Sequence, residues 1–232
     1  MPRTTPSDRL PKLLDAAAAA FVEHGFHRTQ MDDIAERLGV SKGTIYRAVE
    51  SKESLFVAVI AWGDTPDDLP VDGLTPTNDI TAVATAVSTE LAQAVAGLEL
   101  TALVASRKRL RSADAFGDEI ERITIGLYRV MRGRRTAIMV LDRCACEVPE
   151  LATVWFGDGR YALVDLWHAY ISQRARHLSI DVDPAILART IVELVTTWAV
   201  KMPWDPAPRP YPDDTAAPCA TMIRHLLAGP AR

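Results

Sequence analysis

The sequence predicts an all-α fold: an N-terminal three-helix head built around a helix-turn-helix, then a larger C-terminal helical domain. Three observations predict it. Apolar residues recur at i, i+3, i+4 and i+7 in segment after segment, as in Met31, Ile34, Ala35 and Leu38. The breaks between those segments carry Gly, Pro, Ser or Asp, the residues that cap or stop helices. No stretch alternates apolar and polar residues in the two-residue rhythm of a strand.

In chain order, Leu10, Leu13 or Leu14, Ala17, Phe21 and Val22 form the apolar stripe of a first helix, which Gly25 ends. Thr29 with Asp32, or Gln30 with Asp33, caps the next helix; Thr29 is chemically the better choice. That helix stops at Gly39, which is free to take a left-handed conformation, and Val40 offers an apolar wedge for the turn. Ser41 is placed to accept a backbone N–H at the start of a second short helix. There Lys42, Thr44 and Tyr46 carry polar groups toward solvent, while Ile45 and Val49 pin the helix inward. A helix held by one thin stripe, with a polar exposed N-terminal half, suits a DNA major groove. Ser51-Lys52-Glu53 then starts an exit helix carrying Leu55, Phe56, Val59 and Ile60, so the head spans residues 1–63.

Residues 64–232 form the second domain. It opens with a Pro-, Gly- and Asp-rich connection up to Asn78, which by chain order relays motion to the head. Helical periodicity resumes over 79–96, 98–110 and 116–146, with Gly133 and the Arg132/Arg134/Arg135 cluster placed to interrupt the last. Val148-Pro149 marks a junction, because proline lacks the N–H that a helix interior needs. Helices over 160–177 and 185–202 follow, the second started by Asp183-Pro184. Five prolines make 203–212 extended, and 215–227 reads as a closing helix.

The composition of the 232 residues, 48% apolar and 24% charged, is that of an ordinary soluble globular protein. The apolar runs are too short to span a membrane, the N-terminus lacks a basic-then-apolar leader, and three cysteines make no disulfide framework. A cytoplasmic, membrane-free protein is expected. The head carries eight Lys/Arg and eight Asp/Glu, so the net charge of −4 lies in the remainder. Phosphate binding depends on local neutralisation rather than net charge; Arg3, Arg9, Arg28, Lys42, Arg47 and Lys52 are the available cations. No phosphate-cradling Gly loop, nucleophile elbow or metal-spaced His/Glu set is present, so no enzyme, cofactor or metal is expected. Cys144 and Cys146, two apart, diverge by about 200° on a helix and read as small buried hydrophobes. His24 and His27 read as surface residues, and His168 as a local partner of Asp165.

From Phe21 to Phe56, the motifs Gly25-Phe26, Asp33-Ile34-Ala35, Gly39-Val40-Ser41-Lys42-Gly43-Thr44-Ile45-Tyr46 and Ser51-Lys52-Glu53 resemble the DNA-binding domain of TetR-type transcriptional regulators. The resemblance implies a ligand-responsive regulator, with a repressor binding a palindromic operator as a homodimer as the first reading. An all-α interaction module or an enzyme is the alternative. It implies that Thr44 and Tyr46 face the nucleic acid and that Lys52 sits near phosphate. With the exposed N-termini of the two helices, the DNA-facing set is Thr29, Gln30, Ser41, Lys42, Gly43, Thr44, Tyr46, Arg47 and Lys52. Arg47-Ala48-Val49 stands where the family often has aromatic-His-Phe, Ala48 cannot make the phosphate contact of that His, and Asp32 replaces a basic or polar residue. A distinct operator follows.

The resemblance also implies that the C-terminal domain binds a small effector and that its last long helices pair with a second copy. Tyr128, Met131, Met139, Trp155, Trp167 and Trp198 are the expected cavity residues, and Leu163, Tyr170, Ile191 and Trp198 the expected dimer face.

Overall fold

The computed structural model describes residues 6–65, 79–106, 110–205, 211–212 and 214–229, with no strand among them. Arg3 and residues 66–78, the expected relay, lie outside the described residues, as do 206–210 of the proline-rich stretch.

The head elements are α1 (Pro6–Arg28), α2 (Met31–Leu38), α3 (Lys42–Ile45) and α4 (Lys52–Trp62). Gly25 does interrupt α1: its φ of 81° and ψ of 177° break the helical path, which then resumes for three residues. Gly39 closes α2 in the left-handed conformation, at φ 64°. Ser51 caps α4 by accepting the Ser54 N–H at 3.0 Å. Leu14, Phe21, Ile34, Ile45, Leu55 and Phe56 are fully buried, and Phe56 meets Phe21 and Phe26 edge-on at 5.2 and 5.1 Å.

Then come α5 (Ile80–Ala96), α6 (Glu99–Ser106), α7 (Ala113–Arg132) and α8 (Arg135–Cys144). The interruption expected near Gly133 separates α7 from α8. The expected junction is α9 (Pro149–Ala152), which a π-helical stretch (Thr153–Tyr161) joins to α10 (Ala162–Gln173). Asp183 caps α11 (Pro184–Thr196), accepting the Ala185 N–H at 2.8 Å, and α12 (Ala216–Ala228) ends the described chain. Pro203 lies in a 3₁₀ turn (Met202–Trp204) rather than in extended chain. No single helix among the described residues is long and apolar enough to cross a membrane.

Packing divides the chain into two compact units: residues 1–90 with 133–156, and 91–132 with 157–232. The first unit therefore includes α8, which packs on α1 and α4. Its stripe of Ala137, Val140, Leu141 and Cys144 is buried. The Cys144 thiol donates to the Phe21 carbonyl at 3.7 Å, and burial pushes its pKa up to about 12, so it remains a protonated core group. Cys146 is exposed, against the expectation that both thiols are buried.

In the second unit α12 packs along α7, and α10 along α11. Arg224 of α12 lies over Gly117, where a β-carbon would collide with its guanidinium, and it pairs with Asp118 at 2.8 Å and Glu121 at 3.1 Å. Between α7 and α10 is a buried ionic cluster. Glu119 Oε1 accepts from Tyr170 Oη at 2.8 Å and from Arg174 Nη2 at 3.1 Å.

Candidate nucleic-acid interface

Helix α3 is a single turn tethered from beneath: Ile45 and Val49 are 2% and 4% exposed. The opposite side stays open. Lys42, Gly43, Tyr46 and Arg47 are exposed, Tyr46 at 45%. Ser41 does not cap α3 with its side chain; its hydroxyl pairs instead with that of Thr44, at 2.9 Å. Arg47 Nε donates to the Gly43 carbonyl at 3.2 Å, which lays the guanidinium back along the helix. Lys42 Nζ donates to Asp32 Oδ2 of α2 at 2.8 Å, and this hydrogen bond raises the Lys42 pKa. Asp32 thus offsets one cation of α3, while the hydrogen bonds of Arg47 go to uncharged groups.

Beyond the cap expected of Ser41, four expectations for the head are corrected. Val40 is 39% exposed rather than buried in the turn. Gln30, not Thr29, begins α2: its N–H donates to Asp33 Oδ2 at 3.1 Å. Thr29 is 0% exposed, and its hydroxyl donates back to the Gly25 carbonyl at 2.6 Å, so its side chain is not available to DNA. Lys52 does not hold its ammonium ready for phosphate. Its Nζ points at the Phe26, Thr29 and His27 carbonyls, at 2.9, 3.3 and 3.5 Å, and lies 4.6 Å from the centre of the Phe26 ring. Those carbonyls belong to the end of α1 and the link to α2, where unpaired C=O groups and the helix dipole attract a cation.

Two carboxylates that the sequence reading passed over bind α8 to the head. Asp64, just after α4, accepts the Thr136 and Ala137 N–H groups at 2.8 and 3.3 Å, capping α8 from outside. Glu147, just after α8, accepts the His27 N–H at 3.2 Å and Arg143 Nη1 at 2.7 Å. Burial acts to raise the Glu147 pKa, but the His27 amide and Arg143 outweigh it and hold the carboxyl below its ordinary range. His27 is exposed as expected, yet its Nε2 lies 3.0 Å from the Glu147 carbonyl oxygen. Gly25 was the available signal, since a left-handed glycine beside an apolar stripe marks a place where another group approaches closely.

The expected effector residues are divided between the two compact units. Met139 and Trp155 belong to the first compact unit, where Trp155 Nε1 donates to Asp142 at 3.2 Å. Tyr128, Met131, Trp167 and Trp198 belong to the second. There the Tyr128 hydroxyl meets that of Thr215 at 2.7 Å, and the Trp198 ring packs on Tyr211. Trp167 Nε1 and Thr124 Oγ1 are buried without a hydrogen-bond partner. The dimer face also needs correction: Leu163, Tyr170 and Ile191 are buried within a single chain, at 7%, 0% and 0% exposure. They lie on the inner faces of α10 and α11 and are core.

Residues 13–59 match the model of the bacterial regulatory proteins of the tetR family. The FasR transcriptional activator of Mycolicibacterium smegmatis is 45% identical over 53 residues, which cover 23% of this chain and 24% of that protein. The KstR2 transcriptional repressor of Rhodococcus jostii is 43% identical over 54 residues, covering 23% and 26%. The matches thus span about a quarter of the length of these curated relatives. A solved TetR-family structure from Streptomyces coelicolor aligns with 95% of this chain and 91% of its own length, with a TM-score of 0.54 at 14% identity, a likeness of fold alone.

Proposed function

We propose that this chain, whose N-terminal region belongs to the TetR family of bacterial regulators, is a non-enzymatic DNA-binding transcription regulator that presents α3 to the major groove of an operator duplex. The observation that carries the reading is the one-sided anchoring of α3. Ile45 and Val49 are buried, while Lys42, Tyr46 and Arg47 stand clear on the other side. Arg47 is the base-reading candidate, because a guanidinium donates in a bidentate fashion to the O6 and N7 acceptors of guanine. Tyr46, Lys42, Gly43 and the paired Ser41 and Thr44 hydroxyls approach the backbone around it. Gln30, at the start of α2, offers a second exposed helix N-terminus for phosphate.

The fuller reading is a cytoplasmic homodimeric repressor whose affinity for a palindrome changes with a small effector. One short helix reads few base pairs, and two copies about 34 Å apart multiply the specificity. With Leu163, Tyr170 and Ile191 in the core, exposed apolar residues such as Ile186 on α11 and Met222 on α12 become the candidates for a dimer face. The buried unpaired donors at Trp167 and Thr124 support an effector that supplies hydrogen-bond acceptors. To move a 1:99 equilibrium to 99:1, that effector must favour one state by about 5.5 kcal/mol.

Selection from a random duplex library, followed by titration of the winner, tests the proposal. The protein is expected to enrich a palindrome and to bind it as two copies. Arg47→Ala is expected to lose about 1–3 kcal/mol of discrimination at one base pair of each half-site, with an unchanged circular dichroism spectrum. If the folded protein enriches no sequence, the reading fails, and the interaction module or enzyme takes its place.

A further inference from the structure

We infer that Glu147 is a positioning residue for DNA binding, setting the link between α1 and α2, and hence the placement of α3, from 120 residues down the chain. The inference rests on the proposal that α3 reads DNA. It starts from Gly25. At φ 81° this residue turns the chain out of α1, and the space that a side chain would fill is taken by the Glu147 carboxylate; a β-carbon there would overlap it. From that position Oε2 accepts the His27 N–H at 3.2 Å, while Arg143, one turn earlier, holds Oε1 at 2.7 Å. The Glu147 carbonyl lies 3.0 Å from the His27 ring.

The link from Gly25 to Gln30 is thereby held from three directions. Glu147 takes the amide of His27. Lys52 gathers the carbonyls of Phe26, His27 and Thr29 from α4. The Thr29 hydroxyl ties the far end back to the Gly25 carbonyl. Helix α2 starts at the next residue, and Gly39 and Ser41 lead directly from it into α3. Of the three clamps, Glu147 comes from the segment 133–156, which the chain enters from α7 and leaves toward α10. Asp64 holds the other end of the same segment, so α8 is fastened to the head at both ends.

Electrostatics makes the idea testable. Removing an acidic residue from a DNA-binding unit reduces repulsion of phosphate and on charge alone should tighten binding. Positioning predicts the opposite for Glu147→Ala. That variant is expected to bind the selected duplex about tenfold more weakly, with the slope of affinity against salt unchanged and faster hydrogen exchange at the His27 amide. Glu147→Gln keeps an oxygen for the His27 N–H and is expected to bind within about threefold of the parent protein. Titrations are made well below the melting temperature of each variant, with the folded fraction measured by circular dichroism. Glu147→Ala binding as tightly as the parent, or more tightly, overturns the inference while leaving the DNA-binding proposal intact. A parent protein that binds no duplex overturns that proposal instead.

Discussion

Replacing Glu119 with alanine is expected to destabilise the second compact unit by about 3–5 kcal/mol, because it strands a charge where water cannot reach it. Glu119 and Arg174 are 5% and 3% exposed, and one carboxylate oxygen serves both the Arg174 guanidinium and the Tyr170 hydroxyl. The guanidinium also stands 5.0 Å from the centre of the Tyr170 ring. Burial and then the hydrogen bond to Glu119 drive the Tyr170 pKa far up, so Tyr170 stays a neutral donor at any working pH. Removing the carboxylate leaves Arg174 buried without a counter-charge and Tyr170 without an acceptor. Replacing both ions is a different perturbation: Glu119→Leu with Arg174→Met exchanges the pair for apolar volume and is expected to recover most of the loss. Hydrogen exchange at the amides of α7 and α10 reads the local stability. Equal losses in the single and double variants would refute the assignment of the cost to the unpaired charge.

That cluster also shows where reading the sequence stops. The stripe Phe116, Ile120, Ile123 and Leu127 marks the buried face of α7, and Glu119 falls on it, three residues after Phe116. A carboxylate on an apolar face announces a buried partner, but no spacing rule points to Arg174, 55 residues away. The same gap explains the misplaced dimer face. Leu163, Tyr170 and Ile191 do lie on helices as the sequence predicts, but periodicity reports that a face is covered, not whether the cover is the same chain or another. The buried stripe of α8 is likewise visible in the sequence, whereas its packing on α1 and α4 is not.

The head was more legible because its contacts are local. Met31, Ile34 and Ala35 face inward, Gly39 adopts the left-handed turn and Ser51 caps α4, each read from residues within four positions of one another. Where the head was misread, the deciding contact crossed between elements or competed with a neighbour. Thr29 is a good cap by residue type, but its hydroxyl is drawn back to the kink at Gly25, leaving the cap to Gln30 and Asp33. Glu147 and Asp64 act on residues far from them in the chain, and nothing in their immediate sequence singles them out.

Lys52 is where this distinction has its largest consequence for DNA binding. A lysine at a phosphate contact releases one counterion, so Lys52→Ala would lower the slope of log affinity against log salt by about 0.9. The ammonium has three N–H donors, and three carbonyls of the α1–α2 link stand within reach of it, at 2.9, 3.3 and 3.5 Å. Turning toward phosphate would release them and the Phe26 ring, so phosphate would have to displace a satisfied structural contact. Lys52→Ala is therefore expected to cost about 1.5–3 kcal/mol of stability, the usual loss for hydrogen bonds to a charged group, while leaving the salt slope unchanged. Lys52→Met keeps the aliphatic stem against Phe26 and is expected to recover part of that stability without restoring the donors. Arg47→Ala supplies the contrast, since the Arg47 side chain is exposed and its loss is expected to weaken duplex binding with little change in melting temperature. Thermal melts beside salt titrations of the two lysine variants decide the matter. A fall of about one in the slope with an unmoved melt would return Lys52 to the phosphate backbone.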